Sequence, residues 1–325
     1  MTRAHGEARA WENGGMRIVF AGTPEFAVPS LIALHAAGHE VVGVITREDA
    51  PLGRKRVLTP SPVAAAADEL GIPVRKANRL DDAVTEWVRH LAPELGVIVA
   101  FGGLVREPLL SLPELGWINL HFSELPKWRG AAPVQRALEA GEQRLGVTVF
   151  RLVAALDAGA VLARDAREYP EGTTAGRALA DLASFGTGAL LAAVETLSMD
   201  PGAGAPQTGP ASYAQKLTRD DGRLDVERGT RDVLAQWAGM TPEPGAYAIH
   251  EGTPLKVHEM RRGADAEAIG GGGSADVGTV SLQGERAMLA LRDGALELIR
   301  VQPAGKQAMD GAAWLRGRNG QTVLS

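Results

Sequence analysis

Three polar side chains in the middle of the chain have the types and spacing needed for acid–base chemistry. Asn119 and His121 are two residues apart on a predicted strand from Trp117 to His121, so their side chains point to the same face of a sheet. Asp157 follows the next predicted strand, where its carboxylate could raise the pKa of the imidazole or organise a proton-relaying water. The amide donates without titrating, and the imidazole exchanges a proton near neutral pH. Together they could stabilise an anionic oxygen and move a proton.

Each of these residues also has a purely structural interpretation. Asn119 alone is typical of a cap at a strand end, and a single histidine is more often packed and hydrogen-bonded than catalytic. Asp157 precedes Ala158 and Gly159, where an aspartate commonly bonds its own backbone in a turn. None of the three indicates a function by itself, so the surrounding elements and motifs have to be considered.

The first half of the chain is typical of an α/β fold with a Rossmann-like, mostly parallel sheet. Short apolar strands at Arg17–Phe20 and Val41–Thr46 flank a predicted helix and form a βαβ unit. The apolar run Gly96–Ala100 predicts a central strand buried on both faces, and the next strand carries the amide and the imidazole. Ligands of open α/β sheets bind beyond the carboxyl ends of the strands. The first turn, Ala21 to Phe26, lacks the G-x-G-x-x-G pattern, so a dinucleotide site is poorly supported.

Composition divides the chain into four parts. Residues 1–15 are polar and aperiodic and are predicted to be a disordered extension. Residues 16–198 are predicted to form the α/β domain that carries the candidate catalytic residues, and residues 199–210, rich in Pro and Gly, are predicted to form a linker. Residues 211–325 contain several short strand candidates separated by turns, which predicts a smaller OB-like β-barrel domain.

The overall composition narrows the possible chemistry. The chain of 325 residues has a net charge of −5 and no cysteine, which excludes disulfides, thiolate nucleophiles and Cys-ligated metal sites. Neither an H-E-x-x-H nor a G-x-S-x-G pattern occurs, so we expect no metal and no serine hydrolase. No apolar run is expected to reach the length that spans a bilayer, and the N-terminus lacks the apolar core of a signal peptide. These observations predict a cytoplasmic protein without a membrane partner.

The stretch from Gly116 to Arg136 resembles the signature of the folate-dependent formyltransferases. The residues that carry the resemblance are Asn119-Leu120-His121, Ser123, Leu125-Pro126 and Trp128-Arg129-Gly130-Ala131-Ala132-Pro133. Further matches in the family's order are Phe20–Phe26, Gly38-His39, Thr59–Val63, Leu156–Gly159, Tyr213–Leu217 and Gln302–Lys306. The resemblance therefore runs from about Met16 to the C-terminus.

The resemblance implies transfer of the formyl group of 10-formyltetrahydrofolate to an amine. It places Asn119, His121 and Asp157 at the family's catalytic positions. Formyl transfer passes through a tetrahedral intermediate with an anionic oxygen, and the amine must lose a proton, which suits these three groups. The acceptor that it implies is the methionine α-amine of initiator methionyl-tRNA, and we expect a monomer. The expected folate-binding residues are Phe101, Gly102, Ser123, Glu124, Leu125 and Pro126.

A basic loop offers a contact for the tRNA. Residues 47–60 are polar and interrupted by Gly and Pro. Loops of this length inside a compact domain more often have a function than serve only as a connection. A solvated surface loop is the alternative. In related transferases the corresponding loop contacts the acceptor end of tRNA, and Arg54 falls at the matching position. Arg54, Lys55 and Arg56 suit phosphate contacts, so we expect a salt-dependent affinity for tRNA.

Three positions depart from the family pattern. Phe122 stands where the family has Gly, and Glu124 stands where it has Leu. Both lie in the turn that contacts folate in relatives, so they imply a changed pocket shape. Gly103 replaces a Leu at the strand end and would widen the pocket there.

Two other functions compete with this interpretation. A formyltransferase acting on a sugar-nucleotide amine shares the same pair of domains, but it gives no reason for the basic loop. A non-catalytic RNA- or folate-binding module would need neither the amide nor the imidazole. An enzyme acting on glycinamide ribonucleotide fits less well, because it needs only the first domain.

Overall fold

The computed structural model describes residues 15–53, 55–263 and 276–325. The extension predicted for residues 1–15 lies outside this part except for Gly15, and Arg54 lies outside it as well. The α-helices of the described residues are α1 Val28–Ala36, α2 Pro62–Glu69, α3 Asp82–Leu91, α4 Pro133–Glu139, α5 Ala175–Met199, α6 Thr230–Met240 and α7 Gly311–Arg316. The strands of the first half are β1 Arg17–Gly22, β2 Glu40–Thr46, β3 Ala50–Leu52, β4 Val57–Thr59, β5 Val74–Lys76, β6 Leu95–Val99, β7 Trp117–His121, β8 Arg129–Gly130, β9 Arg144–Arg151 and β10 Val161–Glu168. The strands of the second half are β11 Tyr213–Ala214, β12 Tyr247–His250, β13 Thr253–Arg262, β14 Thr279–Gln283, β15 Arg286–Leu291, β16 Gly294–Pro303, β17 Met309–Asp310 and β18 Gln321–Val323.

The chain divides into two compact units. The first contains the described residues up to Gly130 together with residues 146–167 and 179–213. The second contains residues 131–145 and 168–178 and the described residues from 214 to the C-terminus. Two short segments, residues 131–145 and 168–178, thus group with the C-terminal unit although the chain on either side of them belongs to the first unit. The boundaries predicted from the sequence, 16–198 and 211–325, remain a prediction.

The first unit is built on the mostly parallel sheet that the sequence predicts. Its strand order is β10-β9-β7-β6-β1-β2-β5. Strands β1, β2, β5, β6 and β7 pair in parallel, whereas β7 and β9 are antiparallel. Strand β7 therefore has β6 on one side and β9 on the other, so its backbone is held along both edges. The Rossmann-like fold class is confirmed.

The alternation of side chains along β7 separates the site from the supporting core. Leu120 points to the face covered by α5, since a Cβ added at Gly186 would contact the Leu120 and Val147 side chains at 3.3–3.4 Å. Asn119 and His121 point the other way. Trp117 lies on the same face as Asn119 and His121, but it is buried in a core cluster that includes Val19, Ala21 and Ile45. The first residue of this face of β7 therefore belongs to the core, and the two that follow belong to the candidate site.

Helix α5 is long and apolar enough to span a bilayer, contrary to the expectation that no apolar run reaches that length. By length and composition alone, Ala175–Met199 could cross a membrane, with a mean hydropathy of 1.3 in its most apolar window. However, 44% of that window is buried inside the protein. Its fully buried side chains recur with helical spacing and include Leu182, Leu190, Val194 and Leu197. This pattern is typical of a helix that covers a sheet.

The second unit contains the smaller antiparallel sheet that the sequence predicts as OB-like. The strand order is β12-β13-β16-β15-β14-β18, with β17 paired to β16. The sheet curls around a core that includes Trp237 of α6 and Trp314 of α7. Strands β12 to β16 confirm the short strand candidates of the sequence, because alternating buried and exposed positions separated by turns determine them locally.

We expect that Gly96→Ala destabilises the sheet beside β7. A Cβ at this position would lie 2.2 Å from the indole ring of Trp117, and overpacking of this kind typically costs about 1–3 kcal/mol. Chemical denaturation should show the loss. Gly188→Ala is the control, since nothing lies within 4 Å of its added Cβ on α5 and alanine favours a helix by about 1 kcal/mol. Equal stability of the two variants would contradict the proposed packing.

Candidate active site

His121 lies at the carboxyl end of β7 with only 6% of its surface exposed. Its Nε2 is 2.9 Å from the carbonyl oxygen of Trp128. A carbonyl can only accept, so Nε2 carries the proton and Nδ1 of the neutral ring keeps its lone pair. Nδ1 lies 4.0 Å from Oδ2 of Asp157. The free lone pair and the carboxylate therefore face each other across the site.

Burial lowers the pKa of His121 below its ordinary value of 6.5. The Asp157 carboxylate and the bond to the Trp128 carbonyl raise the pKa, but desolvation outweighs both. Asp157 thus raises the pKa of His121, as expected from the sequence, but the pKa as a whole is lowered because burial has the larger effect. The imidazole is neutral at neutral pH and can accept a proton at Nδ1.

Asp157 is held in an unusual backbone conformation. Its φ is +46°, in the left-handed region that non-glycine residues rarely occupy. Its Oδ2 accepts a hydrogen bond of 2.7 Å from the Gly130 N–H. The loop closes tightly against β9, since a Cβ at Gly159 would lie 1.7 Å from the Arg151 carbonyl oxygen. The aspartate is therefore more than a turn residue, because its carboxylate faces the imidazole.

Asn119 supplies a hydrogen-bond donor that no other described residue uses. Its backbone is paired to Ile98 in β6 and to Phe150 in β9. The side chain is half-buried, and no side-chain hydrogen bond of Asn119 is found within the described part of the chain. A fixed strand thus presents an unpartnered amide on the same face as His121. Such a donor suits an oxygen that becomes anionic during a reaction.

The turn after β7, expected to bind folate, is held together internally. Ser123 Oγ donates to the Lys127 carbonyl oxygen at 2.6 Å. Thr148 Oγ1 donates to the Ser123 carbonyl oxygen at 2.7 Å and accepts from the Leu125 N–H at 3.1 Å. Ser123, Leu125 and Pro126 are buried, whereas Glu124 is half-buried. A ligand could therefore reach this turn through its backbone or through Glu124.

The strand end at Phe101 and Gly102 is braced by a residue that the sequence did not reveal. The Arg47 guanidinium donates to the carbonyl oxygens of both residues and lies 5.8 Å from the centre of the Phe101 ring. Phe101 is 1% exposed and belongs to the core, so its ring packs in the interior next to the strand end. Gly102 is exposed with a φ of +73°, a conformation that glycine adopts without strain.

Phe122, which departs from the family pattern, is accommodated by the first βα turn. Its ring meets the Phe26 ring edge-on at 5.6 Å between centroids, and only 6% of the residue is exposed. Edge-to-face pairs of this kind add to packing energy. The phenyl group is therefore part of the wall that separates β7 from the first turn.

The basic loop is a hairpin rather than irregular chain. Strands β3 and β4 pair antiparallel from Ala50↔Thr59 to Leu52↔Val57. Lys55 and Arg56 are exposed in the connecting turn. Leu52, Val57 and Leu58 are also more than half exposed. The hairpin thus presents charge and apolar surface to solvent together.

Gln207 is a further residue beside Asp157 that the sequence analysis missed, and it accepts hydrogen bonds from the Arg129 guanidinium. Gln207 lies in the segment 199–210 that was predicted as a linker. That segment pairs with the first unit, since Ala205 and Val161 exchange backbone hydrogen bonds of 2.7 and 2.9 Å. Only the polar character of Gln207 in a Pro/Gly-rich stretch distinguishes it in the sequence. In the described ranges, no group of three His, Cys, Asp or Glu residues is placed to hold a metal ion.

Comparison with known protein families gives matches over nearly the whole chain. The model for "Formyl transferase" matches residues 16–194, and that for "Formyl transferase, C-terminal domain" matches residues 216–319. The chain is 52% identical to methionyl-tRNA formyltransferase of Leifsonia xyli subsp. xyli over 95% of its length and 100% of the relative. It is 49% identical to the protein of the same name from Clavibacter sepedonicus, with the same coverage of both chains.

Two solved structures share the fold at low sequence identity. HypX from Aquifex aeolicus in complex with tetrahydrofolic acid superposes with a TM-score of 0.63 at 16% identity, covering 93% of this chain and 47% of HypX. Methionyl-tRNA formyltransferase from Clostridium thermocellum superposes with a TM-score of 0.56 at 12% identity, covering 76% of this chain and 94% of that one. At these identities the likeness concerns the fold alone.

Proposed function

Because the chain belongs to the formyl transferase family, we propose that it transfers the formyl group of 10-formyltetrahydrofolate to the α-amine of initiator methionyl-tRNA. The product would be N-formylmethionyl-tRNA, used to initiate translation. The observation that carries the proposal is the Asn119 amide, which has no side-chain partner among the described residues and lies on the same strand face as a buried, neutral His121. Relatives that match along their whole length bear the same activity in their names.

The site residues can divide the reaction between them. The amine nitrogen bonds to the formyl carbon, and the Asn119 amide donates to the oxygen as it becomes anionic. Nδ1 of His121 takes the proton that the amine loses, and the Asp157 carboxylate stabilises the resulting imidazolium. As the bond from the formyl carbon to the folate nitrogen breaks, His121 returns the proton to that nitrogen. Each group therefore acts where charge develops.

The remaining contacts are part of the same proposal. The folate donor would lie beyond the carboxyl ends of β6 and β7, reached by Gly102, by Glu124 and by the backbone of Ser123, Leu125 and Pro126. The Phe101 carbonyl already accepts from Arg47, so Phe101 would shape this pocket only as part of its floor. Arg54, Lys55 and Arg56 would contact tRNA phosphates. We further propose a cytoplasmic monomer that needs no metal.

The experiment that tests this function offers one donor and several amines. Purified protein with 10-formyltetrahydrofolate should formylate methionyl-tRNA, detected as formylmethionine after hydrolysis of the ester. A sugar-nucleotide amine and glycinamide ribonucleotide are the competing acceptors. Formylation of either of these in preference to methionyl-tRNA, or no product with any of them, would reject the proposal.

We expect Lys55→Gln and Arg56→Gln to weaken tRNA binding without affecting the folate. The plot of log affinity against log salt concentration has a negative slope, and each phosphate contact that is lost should make this slope shallower by about 1. Filter binding across salt concentrations measures this slope, and Arg89→Gln on α3, an exposed arginine, is the control. An unchanged slope in both hairpin variants would favour the sugar-nucleotide alternative, which has no phosphate backbone to hold.

A further inference from the structure

The Gln207 side chain joins two parts of the site through all of its polar atoms. Its Nε2 donates to the carbonyl oxygens of Asp157 and Gly159, at 2.8 and 3.0 Å. Its Oε1 accepts from the Arg129 guanidinium, at 3.2 Å from Nε and 2.6 Å from Nη2. One amide therefore connects the loop that carries Asp157 to the strand that carries Arg129.

The two connected parts are also joined at the carboxylate itself. Gly130, which follows Arg129, donates its N–H to Oδ2 of Asp157. The Arg129 N–H donates to the Ser212 carbonyl oxygen at 2.8 Å, which ties this strand to the segment that follows Gln207. The result is a closed ring of hydrogen bonds around Asp157, with Gln207 as the member that contacts both sides.

We call the hydrogen bonds that Gln207 makes to Asp157, Gly159 and Arg129 the Gln207 clamp. These bonds are needed because Asp157 adopts a left-handed backbone conformation. Such a conformation persists only when the surroundings hold it. The loop residues next to Asp157 on its N-terminal side, Ala154 to Leu156, are exposed, so they supply little packing. The two bonds from Gln207 to the carbonyls of residues 157 and 159 hold the turn from its other side.

We infer that Gln207 is a positioning residue for formyl transfer, which keeps the Asp157 carboxylate directed at His121 and holds the Arg129 guanidinium in place. The inference rests on the proposed function for its reaction but on the hydrogen bonds alone for its geometry. Gln207 itself has no assigned contact with the reacting atoms. It acts through Asp157, whose charge raises the pKa of His121.

The clamp requires an amide rather than any polar side chain. Glutamate at 207 could still accept from Arg129, but it would turn a carboxylate oxygen toward two carbonyl oxygens and lose both donated bonds. Leucine keeps a similar volume and loses every bond. Gln207→Glu therefore removes only the hydrogen bonds that the amide donates, whereas Gln207→Leu removes the donated and the accepted bonds but keeps the packing.

Steady-state kinetics should show a fall in kcat approaching about 100-fold in both variants, because a misplaced catalytic group can cost that much, with KM for either substrate nearly unchanged. Gln207→Glu should be impaired although it retains the Arg129 partner. Thr208→Ala, an exposed neighbour, is the control and should match the parent. Melting temperatures identify a variant that fails to fold. Parental kcat in a folded Gln207→Leu protein would overturn the inference.

A double-mutant cycle tests whether Gln207 acts through Asp157. In the Asp157→Asn background, Gln207→Leu should lower kcat little further, because the carboxylate that it positions has been removed. Full additivity of the two losses would contradict the inference and indicate an independent structural role.

The titration of His121, followed by NMR, gives a readout that does not depend on turnover. As the carboxylate moves away, the His121 pKa should fall further in Gln207→Leu, since Asp157 raises it in the parent. An unchanged titration would contradict the inference even if the proposed reaction is correct. If instead the parent protein formylates none of the amines, the proposed function fails while the titration shift still tests the clamp.

Discussion

His121→Gln is expected to lower kcat by about 10²–10⁴-fold, the usual effect of removing a general base. Glutamine can still donate to the Trp128 carbonyl, so the turn after β7 should keep its packing. The loss arises because no group remains to take the amine proton at the position of Nδ1. Single-turnover measurement of product formation checks the effect, and His35→Gln on the exposed side of α1 is the control.

The same variant makes a prediction for pH. The base must be unprotonated to act, so parental kcat/KM should be constant near neutral pH and fall only as the pH drops through the lowered pKa of His121. His121→Gln should abolish this acid limb.

The stability of the fold should also depend on the protonation of His121. Because burial lowers the pKa of His121 in the folded protein, the unfolded chain binds the proton more readily, and the free energy of unfolding falls as the pH drops through 6.5 and below. The His121→Gln protein should lose less stability over that interval, and an unaltered acid limb would contradict the role of His121 as base.

Asn119→Ala is expected to lower kcat by about 10²–10³-fold, the loss seen when one oxyanion donor is removed. The amide has no other bond among the described residues, so its removal should leave stability nearly unchanged. Folate affinity should also change little, since the donor acts on charge that develops only during transfer. Kinetics with folding checked by circular dichroism tests this expectation.

Asn119→Asp is the matched variant for this prediction. It keeps the size of the side chain but replaces the donor with a carboxylate, which would repel the developing oxyanion. It should be at least as impaired as Asn119→Ala. Activity within threefold of the parent in either variant would remove the oxyanion role.

The parts of the fold that depend on local pattern could be predicted from the sequence. Strand β7 follows from the apolar Trp117-Ile118 next to a polar strand end. The antiparallel strands of the second unit follow from short alternating runs bounded by turns. In these segments the period of burial and the chain's own turn residues determine the structure, so no long-range contact was needed to identify them.

The parts of the site that depend on long-range contacts could not be predicted. Gln207 lies 50 residues from Asp157 in the chain, and a Pro/Gly-rich segment shows no periodicity that indicates its partner. Arg47 likewise braces a strand end 54 residues away. The net direction of the His121 pKa depends on burial from several elements, which outweighs the single carboxylate visible in the motif.

The position of a bound donor tests most directly whether Asn119, His121 and Asp157 surround the reacting carbon. A crystal structure with 10-formylfolate, an oxidised form of the donor, would provide it. We expect the formyl oxygen within about 3 Å of the Asn119 amide nitrogen, with Nδ1 of His121 facing the formyl carbon from the acceptor side. A formyl group that lies beyond hydrogen-bonding reach of Asn119, or on the face of β7 that α5 covers, would contradict the account.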